Sequence, residues 1–191
     1  SLYSPEGRRY YILSFQQSDK TFAYDLVTNK WFQWGHFDAT SGSRQKWKIS
    51  NLVYCDSWDK WIGFSDQNDV LYHVKTTVFS DNSNKIQSFV ESGHIDHDTY
   101  QRKVTRKLFI KCKRGEGNTT LPGYLMFQYM NDNKSWSDER QLSLGSSGET
   151  NIVIPVNIPG TYRTRKYRLS CADTLDFQIV GMDEMVEALE S

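Results

Sequence analysis

Through most of the chain, apolar and polar residues alternate with a period of two. Such alternation sends successive side chains to opposite faces of a sheet, so it predicts strands. The first strands are an apolar run over 9–15, an alternating run over 21–26 and a return over 31–34, with a turn at Thr28-Asn29-Lys30 between the last two. Asn suits that turn because it tolerates the left-handed backbone region. After a loop over 35–45, a second set of strands is expected at 47–54, 60–64 and 70–74, joined by turns at Asp56-Ser57 and 65–69. Two cycles of three strands, about 35 to 40 residues each, follow the grammar of successive propeller blades. Two blades cannot close a propeller. The chain therefore reads as a piece of a longer protein, and the opening Ser1-Leu2 with a strand soon after points the same way. The alternative is an open sheet packed on the C-terminal half of the chain.

The polar stretch 79–84 reads as a linker between a blade-like meander over 1–80 and a second domain over 86–191. In that domain, strands are expected at 86–91, 103–113, 124–130, 141–144, 151–158 and 174–180. Pro155 should push its strand to a sheet edge or a bulge. The sharpest pattern comes after the Pro159-Gly160 turn: Tyr167, Leu169 and Cys171 fall on one side, and Lys166, Arg168 and Ser170 on the other. Residues 181–190 fit a short helix or a strand. Short strands spaced by turn signals predict a β-sandwich. The expected fold is all-β: propeller-blade-like antiparallel meanders followed by a β-sandwich.

Charge adds a local feature. Lys plus Arg and Asp plus Glu both number 23, so no field of the whole molecule draws it to nucleic acid or membrane. Yet residues 102–114 carry seven bases and no acid. Their outer positions Arg106, Lys107, Lys111 and Lys113 could join Arg163, Arg165, Lys166 and Arg168 in one basic face, if the two strands are neighbours. Such a face suits phosphate or an acidic partner surface; equally, it can serve to blunt sheet edges. No apolar run approaches the ~20 residues of a membrane span. The three cysteines, 55, 112 and 171, are widely spaced and read as small buried hydrophobes in a reducing compartment.

Candidate chemistry is thin. His94, Asp96 and Asp98 would share one face of a strand, with His97 beside them, and could hold a hard or borderline cation; with no third His nearby, a solvated turn is the preferred reading. Asp25, Asp56, Asp59, Asp66 and Asp69 lie where turns want Asp. Trp31, Trp34, Trp58 and Trp61 suit either a sugar platform or packing within blades. No nucleophile elbow, phosphate loop or Cys/His pairing occurs. No catalytic residue, metal or cofactor is expected.

Several motifs resemble known families. Tyr24-Asp25-Leu26 with Trp31 is similar to the kelch-type "YD…W" pattern, and Asn131–Trp136 to the Asp-box turn S-x-D-x-G-x-x-W. In that turn the Asp caps backbone amides and the Trp packs beneath. The order of pieces over residues 8–182 resembles the tail-hub or nozzle proteins of short-tailed phages, the packaged-DNA stabilisation proteins. A "YD…W…W" blade is succeeded by the linker, His94-Ile95-Asp96 and the basic 106–110. Next comes Phe127–Ser137 against the family's "Y-S-D-D-G-G-x-T-W-S", with Asn133 and Lys134 at its two glycines, and then Leu144-Gly145. Last is Tyr162–Leu169 against "R-x-R-x-y-R-l". The resemblance implies a non-catalytic structural protein of a phage or prophage tail, made in the bacterial host cytoplasm. It implies ring assembly of the chain with itself, six-fold symmetry being one option. The implied neighbours are portal, adaptor and distal tail proteins, with non-specific DNA contact as a further option. The competing reading is a carbohydrate-binding or sialidase-like β module.

Overall fold

The computed structural model describes all residues except 6, 39, 83, 118–122, 150 and 190–191. The fold is all-β and divides into two compact units, Ser1–Ile86 and Gln87–Ser191.

The first unit holds two antiparallel meanders. One is a five-stranded sheet of β1 (Leu2–Tyr3), β2 (Tyr10–Phe15), β3 (Lys20–Asp25), β4 (Lys30–Asp38) and β5 (Ser43–Lys46), in sequence order. The other is three-stranded: β6 (Ile49–Cys55), β7 (Lys60–Ser65) and β8 (Leu71–Val74). Ile12, Ala23 and Tyr3 of the first sheet form a shared core with Trp34, Trp47, Leu52, Trp61 and Val74. Tyr3 and Trp61 meet edge to face at 5.2 Å, as do Trp34 and Trp47. Each sheet carries the same cross-strand pair at the same spacing: Tyr24 opposite Trp31, rings 4.9 Å apart, and Tyr54 opposite Trp61, 5.3 Å apart. Asp25 fixes the first hairpin, accepting from the amide of Val27 (2.8 Å) and the hydroxyl of Thr28 (3.0 Å), while Asn29 takes a left-handed φ of 56°. Gly63 leaves room for the neighbouring strand's Ile49, since a Cβ there would stand 2.8 Å from the Ile49 side chain.

Two expected loops contain strands. The 35–45 stretch extends β4 and adds β5, whose sequence Ser-Arg-Gln-Lys has no apolar position to announce it. The 79–84 stretch contributes to a two-stranded ribbon, β9 (Ser80–Asp81) with β10 (Asn84–Lys85), tied to β4 by Asp81 and the buried His36 at 3.0 Å.

The second unit is a sandwich. One sheet orders β11 (Ser88–Glu91), β17 (Arg165–Cys171), β13 (Tyr124–Asn131) and β14 (Arg140–Ser143). In the other, β12 (Lys103–Gly117) is flanked on one side by β15 (Ile152–Val156) and β16 (Thr161–Tyr162), and on the other by β18 (Leu175–Ala188). Leu125, Phe127, Tyr167 and Leu169 from the first sheet pack on Leu108, Ile110, Ile154 and Val156 from the second. Pro155 lies on β15, which pairs with β12 alone. Residues 181–188 are strand, so the helical option is set aside. The ambiguity has a physical source: the inward side of 182–186 carries the charged Glu184 and the outward side the apolar Met185, which blurs the alternation. Upstream, a bulge between the pairs Lys111↔Gly181 and Cys112↔Ile179 shifts the phase of β18 by one residue. Leu175, Phe177 and Ile179 face inward before it, and Met182 and Glu184 after it.

Candidate functional site

A second bulge, at Arg106, shifts the phase of β12 in the same way: Lys103 and Thr105 are buried before it, and Leu108, Ile110 and Cys112 after it. Both phase changes carry polar side chains into one end of the sandwich. Arg165 joins them from the opposite sheet, because it shares the inward parity of Tyr167 and Leu169. Arg165 and Lys103 are each 1% exposed.

The guanidinium of Arg165 donates to Asn131 Oδ1 at 2.7 Å and to Thr105 Oγ1, and Glu184 Oε1 lies 3.7 Å from its Nη1. It also covers the ring of Tyr162, 3.7 Å from the centroid. The Tyr162 hydroxyl donates to Glu184 Oε1 at 2.8 Å, and Thr105 Oγ1 donates to the same oxygen. Glu184 Oε2 faces His97 Nε2 at 3.3 Å. Lys103 Nζ donates to the carbonyls of Thr99 (2.5 Å) and Gln101 (3.0 Å). The cluster thus pins residues 92–101 against the sandwich, aided by paired backbone bonds between Ile95 and Arg165 at 2.9 and 3.0 Å.

Burial acts to raise the Glu184 carboxyl, but hydrogen bonds from Thr105 and Tyr162, with the Tyr167 hydroxyl and His97 alongside, hold it below its ordinary value. Burial pushes the Tyr162 phenol up to about 12, with Glu184 adding to the rise and Thr105 and Arg165 opposing it. Tyr167 is raised further, again chiefly by burial. The cluster therefore holds a fixed carboxylate, a fixed guanidinium and two protonated phenols.

The expected basic face is not assembled. Strands β12 and β17 belong to different sheets, so the condition of neighbouring strands is not met. Arg165 is core, not surface. Arg106 pairs with Glu187 at 2.6 Å, Lys111 with Asp183 at 2.5 Å, and Arg168 with Glu91 at 2.6 Å while stacking on Trp136 at 4.1 Å. Lys107, Lys113 and Arg163 are exposed and Lys166 half-buried, in no salt bridge among the described residues, although the charge of Arg163 helps to lower the nearby Asp132 carboxyl. Lys103 and Arg114, which belong to the same basic stretch, are buried.

The remaining candidates separate. Residues 96–99 form a tight turn with left-handed φ at His97 (52°) and Asp98 (57°), so His94, Asp96 and Asp98 do not line a strand face. Among the described residues, no three of His, Cys, Asp and Glu gather as a metal site would require. Trp34 and Trp61 are in the first unit's core and Trp31 and Trp58 are exposed, which breaks up the four-ring platform. Cys112 and Cys171 are buried and Cys55 half-buried, none of them in a disulfide; burial raises the Cys112 thiol.

The Asp-box-like turn does cap amides. Asp132 and Asn133 take left-handed φ of 49° and 57°, and Lys134 N donates to Asn131 O at 3.0 Å. Asp132 Oδ1 accepts from the amides of Arg163 (2.7 Å) and Thr164 (2.9 Å). Burial opposes ionisation of Asp132, and those two amides outweigh it, so its carboxyl sits below the ordinary range. No protein-family model matches the chain, and no curated protein matches it significantly.

Proposed function

We propose that the chain is a non-catalytic structural element of a phage or prophage tail, acting by assembly with itself and with neighbouring tail proteins. The observation that carries this reading is how the motif residues are used. The stretches 127–137 and 162–169, on which the resemblance rests most heavily, are bound directly to each other. Asp132 holds the amides of Arg163 and Thr164, Asn131 holds Arg165, and Trp136 stacks on Arg168. Residues spent on holding two strands together are what a scaffold shares with its relatives. A catalytic acid or base works best with a pKa near the operating pH, and the buried cluster offers a depressed carboxyl and two raised phenols instead.

Gene neighbourhood and particle association test the reading together. Portal and terminase genes beside this one, and the protein in the tails of purified particles, are expected. A full-length protein that stays monomeric and never enters particles overturns it. Glycan binding is the second reading, favoured by the exposed rings of Trp31 and Trp58. Specific glycan-array binding lost in Trp31→Ala would establish it in place of the first.

A further inference from the structure

Residues 92–101, which join β11 to β12, cover buried groups without burying any side chain of their own. Every residue in the segment is exposed or half-buried, and Ile95 supplies its packing against the sandwich core. Beneath it lie Arg165, Lys103 and Tyr162, each 1% exposed, and the buried Thr105. The rest of its attachment is polar. Ser92 N donates to Tyr167 O at 2.9 Å, and Tyr167 N donates to Ser92 Oγ at 2.9 Å. Ile95 and Arg165 exchange backbone bonds, His97 Nε2 stands 3.3 Å from Glu184 Oε2, and the carbonyls of Thr99 and Gln101 accept from Lys103 Nζ. The turn at its tip places two successive residues with side chains, His97 and Asp98, in the left-handed region, a conformation that costs energy outside glycine.

We infer that residues 92–101 are a strap that lifts on its own and, in lifting, uncovers Lys103 and Arg165. Segments open locally where few apolar contacts are buried and the hydrogen bonds lie close to water, and the strap meets both conditions. What lies beneath keeps its own support. With the strap lifted, Arg165 retains Asn131, Thr105, Glu184 and the Tyr162 ring. The core of Leu108, Ile110, Phe127, Tyr167 and Leu169 belongs to the two sheets and is not broken. Lys103 differs, because both carbonyls that hold its ammonium belong to the strap. Closed, the strap withholds an ammonium and a guanidinium from any anionic neighbour; open, it offers them. Its place in the chain adds a means of control. The chain passes from the first unit into the second through β11 and then the strap, so a pull on that connection reaches these two segments before any other part of the second unit.

The inference stands apart from the assembly reading and is tested on the chain alone. The first measurement is native-state hydrogen exchange by nuclear magnetic resonance, over a urea series kept below the unfolding transition. The amides of Ser92 and Ile95 should exchange about a hundredfold faster than the protected amides of the β13–β17 ladder, at a rate that urea barely changes. His97→Ala, whose side chain is 31% exposed in the wild type, should speed those two amides further and leave the ladder as it was. The second measurement reads the uncovering itself. After brief treatment of the native protein with an N-hydroxysuccinimide ester of acetate, mass spectrometry should find Lys103 acetylated, more slowly than the exposed Lys107 and faster in His97→Ala than in the wild type. Strap amides that share both the rate and the urea dependence of the ladder overturn the inference, since the segment would then open only with the whole unit. A Lys103 that stays unmodified while the Ile95 amide exchanges overturns it too, because the strap would move without uncovering the cluster. The wild type decides both points by itself if His97→Ala does not fold.

Discussion

Arg165 is the residue on which most turns. Its guanidinium is held between the Tyr162 ring, Asn131, Thr105 and Glu184, with almost no access to water. Removing one partner of a buried charge pair leaves the other uncompensated, at a cost of about 3–5 kcal/mol. Arg165→Met is therefore expected to destabilise by about that amount in urea unfolding, and Arg165→Met combined with Glu184→Gln by clearly less. Equal losses in the single and double variants would mean that the pair is not coupled. The acid limb of stability depends on the same carboxyl. Its folded pKa is depressed, so between the folded value and the unfolded value near 4.5 the unfolded chain binds the extra proton. Glu184 thus stabilises the fold above that window, and the contribution is lost as pH falls through it. Glu184→Gln should flatten the slope of unfolding free energy below about pH 4.5, and an unchanged slope would mean that Glu184 has no part in it. Arg165 was expected on the basic face and is core. Its spacing from Tyr167 and Leu169 puts it on their side of the strand, and only its charge suggested the surface. Glu184 was not legible, because its inward position depends on a bulge with no marker in the local sequence.

At the scale of elements, strands with apolar alternation were readable and strands held only by their backbone were not. β12, β13 and β17 announce themselves through Leu108, Ile110, Phe127, Tyr167 and Leu169, all buried. β5, β9 and β10 are short and polar, and their pairing comes from the adjoining turn or from a single contact such as His36 with Asp81. The turn between β13 and β14 carries a sharper test. Asn133 tolerates its φ of 57°, so Asn133→Gly, which restores the glycine of the resembling pattern, should leave the unfolding midpoint nearly unmoved. Asp132→Ala should cost about 1 kcal/mol, because the amides of Arg163 and Thr164 lose a charged acceptor at a site water can reach. A turn that works only as local geometry would show the reverse order. The bulges in β12 and β18 have a different consequence: each changes which parity faces the core partway along a long strand. Assuming one phase from end to end misplaces the side chains beyond the bulge, and Lys103 then falls among the exposed bases although it is buried.

At the scale of the whole molecule, the choice between DNA and protein as neighbour of the basic strands can be reduced to a slope. Of the eight basic residues of the expected face, Arg106, Lys111, Arg165 and Arg168 have acidic partners, leaving Lys107, Lys113, Arg163 and Lys166. Lys107 and Lys113 face outward on β12 and Lys166 outward on β17 of the other sheet, while Arg163 lies in the bend between β16 and β17, so one duplex meeting an outer face could meet at most three of them. Each phosphate neutralised contributes about −0.9 to the dependence of log K on log salt. Three contacts therefore limit the slope from these residues to about −3, against roughly −5 to −9 for proteins that make six to ten phosphate contacts. With a net charge of zero there is no long-range attraction to add. Anisotropy titrations of a random-sequence duplex across a salt series should give weak binding and a slope no steeper than about −3. Lys107→Ala with Lys113→Ala should abolish any slope that β12 supplies, Lys166→Ala any that β17 supplies, and Arg163→Ala any that the bend before β17 supplies. A slope steeper than about −4 would require the paired arginines to leave their carboxylates for phosphate. That result would return the basic strands to DNA and make their ion pairs latches that open on contact, whereas a shallow slope leaves a neighbouring protein subunit or solvent as what those strands meet.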